Sequence, residues 1–195
     1  MLDSLIRLDT QWFLFLNSFH NAFFDVVMHT LSAVTIWIPL YLVFIFFIFR
    51  KLKMKGFITL FFLILLVVCT DQGSDHVKNT VKRLRPSHNP EIAQLVHVVN
   101  NERGGNFGFF SSHAANTFGL ALFLALFFKN RKFSIFIFSW AALVSYSRIY
   151  LGVHYVFDVL VGALFGLGIG FLMYQIYIIS LSKIKARKKP SYDGS

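Results

Sequence analysis

The chain has 195 residues, 56% hydrophobic with 25 Phe, only 14% charged, and a formal net charge of +10. One domain fits that length, but a soluble core cannot hide so much apolar surface, which excludes a soluble enzyme in favour of a membrane class. The basic residues lie in short blocks between apolar runs, a mark of topology rather than nucleic-acid binding, and the single Cys69 excludes a disulfide framework or thiolate cluster.

In chain order, residues 1–17 have a charged first half and an apolar second half from Trp12 to Leu16. With Asp3, Arg7 and Asp9 present, no cleavable signal peptide is expected. The segment fits either an interfacial amphipathic helix or a short span; the span is the reading adopted, with His20 and Asn21 as its turn. Five apolar runs follow that approach the roughly 20 residues needed to cross a bilayer. They are 31–49, extended back toward Asn21; 57–70, continuing as a polar helix toward Lys82; 117–128, reaching back to Ser112; 133–150; and 155–179. No strand-like alternation or repeat accompanies them. The expected fold class is all-α integral membrane, a bundle of five clear transmembrane helices plus an N-terminal helix, six in total. A single domain over 1–182 is expected, then a basic cytoplasmic tail, 183–195.

Basic blocks set the sidedness. Arg50 to Lys55 follows the first run, Lys129 to Lys132 separates the third and fourth, and Lys183 to Lys189 follows the last. With all three in the cytoplasm, each span alternates and the positive-inside rule is met every time. Residues 71–110 and 147–154 then share the outer face.

Three polar groups occupy that face. Lys78 and Arg85 are seven apart, so they can share one helical face, although Pro86 ends the helix near Arg85; alone they read as a solvated patch touching headgroups. Asp71 and Asp75, on the approach, are expected to pair with nearby cations. Next, a glycine-rich loop leads into Ser111-Ser112-His113 at the start of an apolar helix. The serines are natural N-caps, and the helix N-terminus suits a phosphate; alone, a capped helix with a spectator His explains it equally well. Finally, His154 and Asp158 are four apart, so the carboxylate can orient the ring. Asp158 lies inside an apolar helix, where it needs a partner, and His154 is the nearest candidate in sequence. Loop histidines His20, His29, His76, His88 and His97 are read as spectators, and Tyr150 and Tyr155 as interfacial belt residues.

Lys78-x6-Arg85-Pro86, Phe110-Ser111-Ser112-His113 and Ser147-Arg148-x5-His154-x3-Asp158 together resemble the three motifs of the type 2 phosphatidic acid phosphatase superfamily, K-x6-R-P, P-S-G-H and S-R-x5-H-x3-D. The second departs twice, with Phe110 for proline and Ser112 for glycine. The resemblance implies a lipid phosphatase working through a phosphohistidine. His154 is then the nucleophile, Asp158 its orienting carboxylate and His113 the general acid. Lys78, Arg85 and Arg148 hold the nonbridging oxygens with Ser111 and Ser112. It implies no metal and no other cofactor. The implied partners are the bilayer and a phosphorylated membrane lipid: undecaprenyl diphosphate or phosphatidylglycerol phosphate first, then phosphatidic acid or a lipid A phosphate. The expected location is a bacterial inner membrane, active site on the periplasmic face. The alternatives are a lipid phosphotransferase using the same intermediate, or a non-catalytic anionic-lipid binder or transporter.

Overall fold

Helix boundaries follow from local residue chemistry in the computed structural model, which describes residues 2–187. Seven α-helices occur among them: α1 (Leu2–Asn17), α2 (Ala22–Ser32), α3 (Ile38–Leu52), α4 (Gly56–Val81), α5 (Ser112–Phe128), α6 (Arg131–Tyr150) and α7 (Val156–Arg187), with no strand among the described residues. Asn21 and Asn130 cap α2 and α6, accepting from the N–H groups of Phe24 and Phe133, both at 2.9 Å. Lys82 and Lys129, at φ of 53° and 54°, stop α4 and α5 in the left-handed conformation.

The run expected as one helix over 31–49 is broken. α2 stops at Ser32, a 3-10 turn spans Val34–Trp37, and Pro39 sits in the first turn of α3. Proline fits there because a first-turn N–H has no intrahelical acceptor. The Trp37 Nε1–H donates to the Leu31 carbonyl at 2.8 Å and fixes the corner.

α3 and α4 form an antiparallel pair joined by a 3-10 turn at Lys53–Lys55. Next to this turn, Phe49 packs on Phe57. Lys51 donates to the Phe127 carbonyl at 3.2 Å and lies 4.9 Å from the centre of the Phe127 ring. The basic blocks at 50–55 and 129–132 therefore share the end of the bundle remote from the polar motifs.

α5 is the central helix, packed by α4, α6 and α7. Its seam with α7 is set by Gly162, Gly166 and Gly170, one helical turn apart. A Cβ at Gly166 would lie 2.1 Å from the Ala115 carbonyl oxygen, and one at Gly162 would lie 2.5 Å from that of Ser111. Close backbone approach through small residues is how helices associate where lipid removes the hydrophobic drive between them. It holds the first turns of α5 and α7 side by side.

The inner faces bury Phe62, Leu66, Phe123, Leu124 and Trp140, whereas Phe61, Ile135, Leu164 and Phe171 point outward and exposed. Large apolar residues on the outside are the pattern for helices solvated by lipid. Three helical stretches are long and apolar enough to cross a membrane: Val34–Val81, which contains α3 and α4, Arg131–Tyr150 and Val156–Ile184.

α1 is tied at two points along its length to one end of the bundle. Asp9 of α1 bonds Arg83 and the Phe157 N–H, and Asn17 donates to the carbonyls of His97, Ile149 and Tyr150. These two residues are separated by about 12 Å of helix, yet both are tied to the end that carries the polar motifs. α2 stays there too, through Asp25 to Tyr150 and Ser32 to Arg148. Asp9 and Asn17 are buried, and each finds its polar partners at that end. At the other end of the chain, α7 continues unbroken past residue 182, and residues 188–195 of the expected basic tail lie outside the described residues.

Candidate active site

Loops and helix ends bring all the motif residues to one end of the bundle. Lys78 projects from the last turn of α4 and donates to Ser112 Oγ at 3.1 Å and to Asp75 Oδ1 at 3.3 Å. Arg85 does not reach the site on a helical face, because α4 has ended at Val81. Residues 83–85 run extended, paired with 106–108 through Arg85 N–H to the Asn106 carbonyl at 3.1 Å and Gly108 N–H to the Arg83 carbonyl at 2.9 Å. Side chains two apart in an extended segment share a side, so Arg83 and Arg85 both face inward.

Arg85 is anchored through Nε to the Phe107 carbonyl at 3.2 Å and through Nη1 to the Val153 carbonyl at 3.2 Å. The same Nη1 stands 3.4 Å from His154 Nε2. A guanidinium only donates, so Nε2 is the unprotonated nitrogen and the ring proton resides on Nδ1, which faces Asp158 Oδ2 at 3.5 Å. That separation is longer than a formed hydrogen bond and is of the kind that tightens when substrate binds. His154 sits in the α6–α7 connection and is buried. Burial, followed by the Arg85, Arg148 and Lys78 charges, holds its imidazole well below the usual histidine range. Burial likewise lowers Arg85 from the usual guanidinium value, with Asp158 opposing.

The α6–α7 connection is shaped by Gly152 at φ +73°, where a Cβ would lie 2.6 Å from Val96 Cγ1 and 2.8 Å from the His97 carbonyl oxygen. Only glycine combines that conformation with that approach. Arg148, in the last turn of α6, is buried, bonds Ser32 through Nη1, and leaves Nε without a protein partner. His113 lies in the first turn of α5, beside Ser32 at the head of a cavity of about 600 Å³. That cavity descends between α3, α4 and α5 past Trp37, Val67, Leu120 and Leu124 and is overwhelmingly apolar.

The serines divide the work. Ser111 caps α5, its Oγ accepting from the Ala114 N–H at 3.4 Å, while its own N–H donates to the Asp158 carbonyl at 3.0 Å. Ser112 Oγ takes the Lys78 ammonium instead. The N–H groups of Ser112 and His113 have no intrahelical acceptor.

Several expectations change. Asp71 is paired with Asn116, whose Nδ2 donates at 2.9 Å, rather than with a cation. Tyr150 and Tyr155 are buried, not belt residues; the Tyr150 hydroxyl donates to Asp25 Oδ1 at 2.6 Å. His97 and His20 stack with centroids 3.8 Å apart, and His97 Nε2 meets the same Asp25 carboxylate at 2.8 Å. The closest charged partner of Asp158 is Arg83, at 2.7 Å, not His154. Arg83 and Asp9 went unmarked in sequence. The signal available was the two-residue spacing of Arg83 and Arg85 once α4 is stopped at Lys82.

Comparison with known proteins places the chain in a family. The family model of the PAP2 superfamily matches residues 56–180. The chain is 43% identical over 180 residues to the lipid A 4'-phosphatase of Bacteroides thetaiotaomicron, covering 90% of this chain and 80% of the relative. It is 33% identical over 196 residues to the lipid A 4'-phosphatase of Porphyromonas gingivalis, covering 100% and 83%. Among solved structures it resembles Aquifex aeolicus LpxE, with a TM-score of 0.69, 28% identity, and coverage of 86% and 95%. The PAP2-type phosphatidylglycerolphosphate phosphatase of Bacillus subtilis shares the fold, with a TM-score of 0.68 at 23% identity and coverage of 96% and 89%.

Proposed function

Because the chain belongs to the PAP2 superfamily, we propose that it is a metal-independent membrane phosphatase that removes a phosphate from lipid A through a phosphohistidine on His154. The observation that carries the reading is the convergence of His154, Arg85, Arg148 and Lys78 beside the first turn of α5, with Arg148 Nε buried and unpartnered. A buried guanidinium N–H without an acceptor is costly, and a phosphate oxygen satisfies it. The sequence alone favoured undecaprenyl diphosphate or phosphatidylglycerol phosphate. Both curated relatives are lipid A phosphatases, which moves the preference to the phosphorylated glycolipid.

The chemistry follows from the arrangement. Neutral His154 attacks phosphorus in line through Nε2; the P–N bond forms as the bond from phosphorus to the sugar oxygen breaks. His113 gives its proton to that oxygen. The nonbridging oxygens lie among Lys78, Arg85, Arg148 and the N–H groups of Ser112 and His113, where fixed positive charge stabilises a transition state whose charge is spread over three oxygens. Asp158 balances the positive charge that His154 acquires. His113 then accepts a proton from a water, whose oxygen attacks phosphorus, expels the imidazole and releases phosphate. The apolar cavity below His113 has the position and lining to take an acyl chain, so the lipid enters sideways from the bilayer. Active site outward in a bacterial inner membrane agrees with the basic blocks gathered at the opposite end.

The test is phosphate release by the purified protein in detergent, with EDTA present, over lipid A, undecaprenyl diphosphate, phosphatidylglycerol phosphate and phosphatidic acid. Lipid A turns over fastest, losing one phosphate by mass spectrometry; vanadate inhibits; and His154→Ala is inactive. Faster turnover of another lipid rejects the substrate, and an active His154→Ala rejects the phosphohistidine.

A further inference from the structure

The carboxylate that braces His154 is itself held in place by residues that the three motifs leave unspecified. Asp158 Oδ2 accepts from the Tyr155 N–H at 3.0 Å and faces His154 Nδ1, whereas Oδ1 accepts from Arg83 Nη1 at 2.7 Å. The other terminal nitrogen of Arg83 donates to Asp9 Oδ2 at 2.7 Å. Asp9 Oδ1 accepts in turn from the Phe157 N–H at 2.9 Å, in the same turn of α7 that carries Asp158. Beneath the guanidinium lies the Tyr155 ring, with its centroid 3.9 Å from Arg83 Cζ, and the Tyr155 hydroxyl accepts from Asn89 Nδ2 at 3.0 Å. Both carboxylates are fully buried and the guanidinium is largely so.

Resting on the phosphohistidine reading above, we propose that Arg83 and Asp9 are positioning residues for the reaction: Asp9 fixes Arg83, and Arg83 fixes the Asp158 carboxylate against His154. Two features of the geometry point beyond simple packing. A planar guanidinium donating to two carboxylates from separate nitrogens determines the rotation of both, which a lysine ammonium cannot do. Two carboxylates share one guanidinium, so one negative charge remains for the imidazolium character that His154 gains when phosphorylated. Arg83 alone would neutralise Asp158; with Asp9 present, Asp158 keeps its strength as an acceptor. The N-terminal helix thereby belongs to the reaction centre.

The experiment is steady-state kinetics on the lipid that the wild type turns over, with melting temperature measured on the same preparations. Asp9→Asn, which is isosteric, lowers kcat about 10-fold with KM unchanged, and Arg83→Gln lowers it about 100-fold, by analogy with the range for groups that orient metal-bound histidines. Because Asp9 acts through Arg83, the double variant loses no more than Arg83→Gln alone. Arg83→Lys restores less than a tenth of the wild-type kcat. The proposal is overturned if Asp9→Asn stays within two-fold of the wild type, if the two losses multiply, or if each loss follows the folded fraction. Should Arg83→Gln fail to fold, Asp9→Asn decides alone. A wild type that releases no phosphate removes the phosphatase reading and the proposal together, whereas an active His154→Ala removes the phosphohistidine first.

Discussion

Nη1 of Arg85 stands 3.4 Å from Nε2 of His154, with the same nitrogen donating to the Val153 carbonyl. The Nε2 lone pair is thus aimed at a cation anchored by backbone on two sides, and in the proposed reaction a phosphoryl oxygen entering between them would meet both.

That anchoring uses the fork of the guanidinium, so Arg85→Lys keeps the charge and loses the aim. We expect kcat to fall about 10²–10³-fold, with the melting temperature little changed, as read by phosphate release and thermal scanning in detergent. A loss under five-fold means charge alone suffices.

The neutral His154 gives stability a pH signature. Its folded pKa lies below the unfolded value of about 6.5, through burial and then the neighbouring Arg85, Arg148 and Lys78. Above pH 6.5 neither state is protonated, and the imidazole contributes no slope. Below it the unfolded chain takes a proton that the native site refuses, so stability falls by up to about 1.4 kcal/mol per pH unit from this group. His154→Asn should flatten the unfolding profile between pH 6.5 and 4.5 relative to the wild type; superimposable slopes would show the ring charges freely.

At the α5–α7 seam, Gly166→Leu has no room, since even a Cβ meets the Ala115 carbonyl at 2.1 Å. Overpacking costs about 1–3 kcal/mol or more and spreads the helices that carry His113 and Asp158. The expected result is a lower melting temperature with activity lost even in the fraction that stays folded. Full activity in that fraction would uncouple the seam from the site.

The cavity below His113 should separate lipid from headgroup. Leu120→Trp fills part of it and is expected to raise KM for lipid A about ten-fold, one lost chain contact being worth about 1–3 kcal/mol. Hydrolysis of a small water-soluble phosphate monoester by the same variant should be unaffected. Equal losses on both substrates would place the chain elsewhere.

Much of this was legible from the residues. The apolar runs gave α4 to α6 to within about two residues because their caps, Ser111, Asn130 and Lys82, are local chemistry, whereas α7 runs on beyond 179 to Arg187, past the end of its apolar stretch. The site residues could be named because His154 and Asp158 are tied by spacing along the chain, and the motifs carry the rest. What stayed hidden depended on tertiary contact. Arg83 sits within a basic cluster that reads as solvated, and only an extended backbone after Lys82 turns it inward. Asp9 carried no site signal, because nothing along the 74-residue separation indicates that Arg83 will meet it. Composition allowed α1 either to cross or to lie in the interface; the burial of Asp9 and Asn17 ties it to the end that carries His154, and pattern does not reveal burial of single polar residues.

The placement of α1 and α2 at the same end as His154 has a bearing on how the chain can be handled. With the site facing outward as proposed, a folding reporter joined ahead of α1 is expected on the side of His154, and one joined beyond Arg187 on the far side of the bilayer. Green fluorescent protein, which matures poorly after export through the secretory channel, should therefore glow on one fusion and stay dark on the other. Equal brightness from both would mean that α1 traverses the lipid after all.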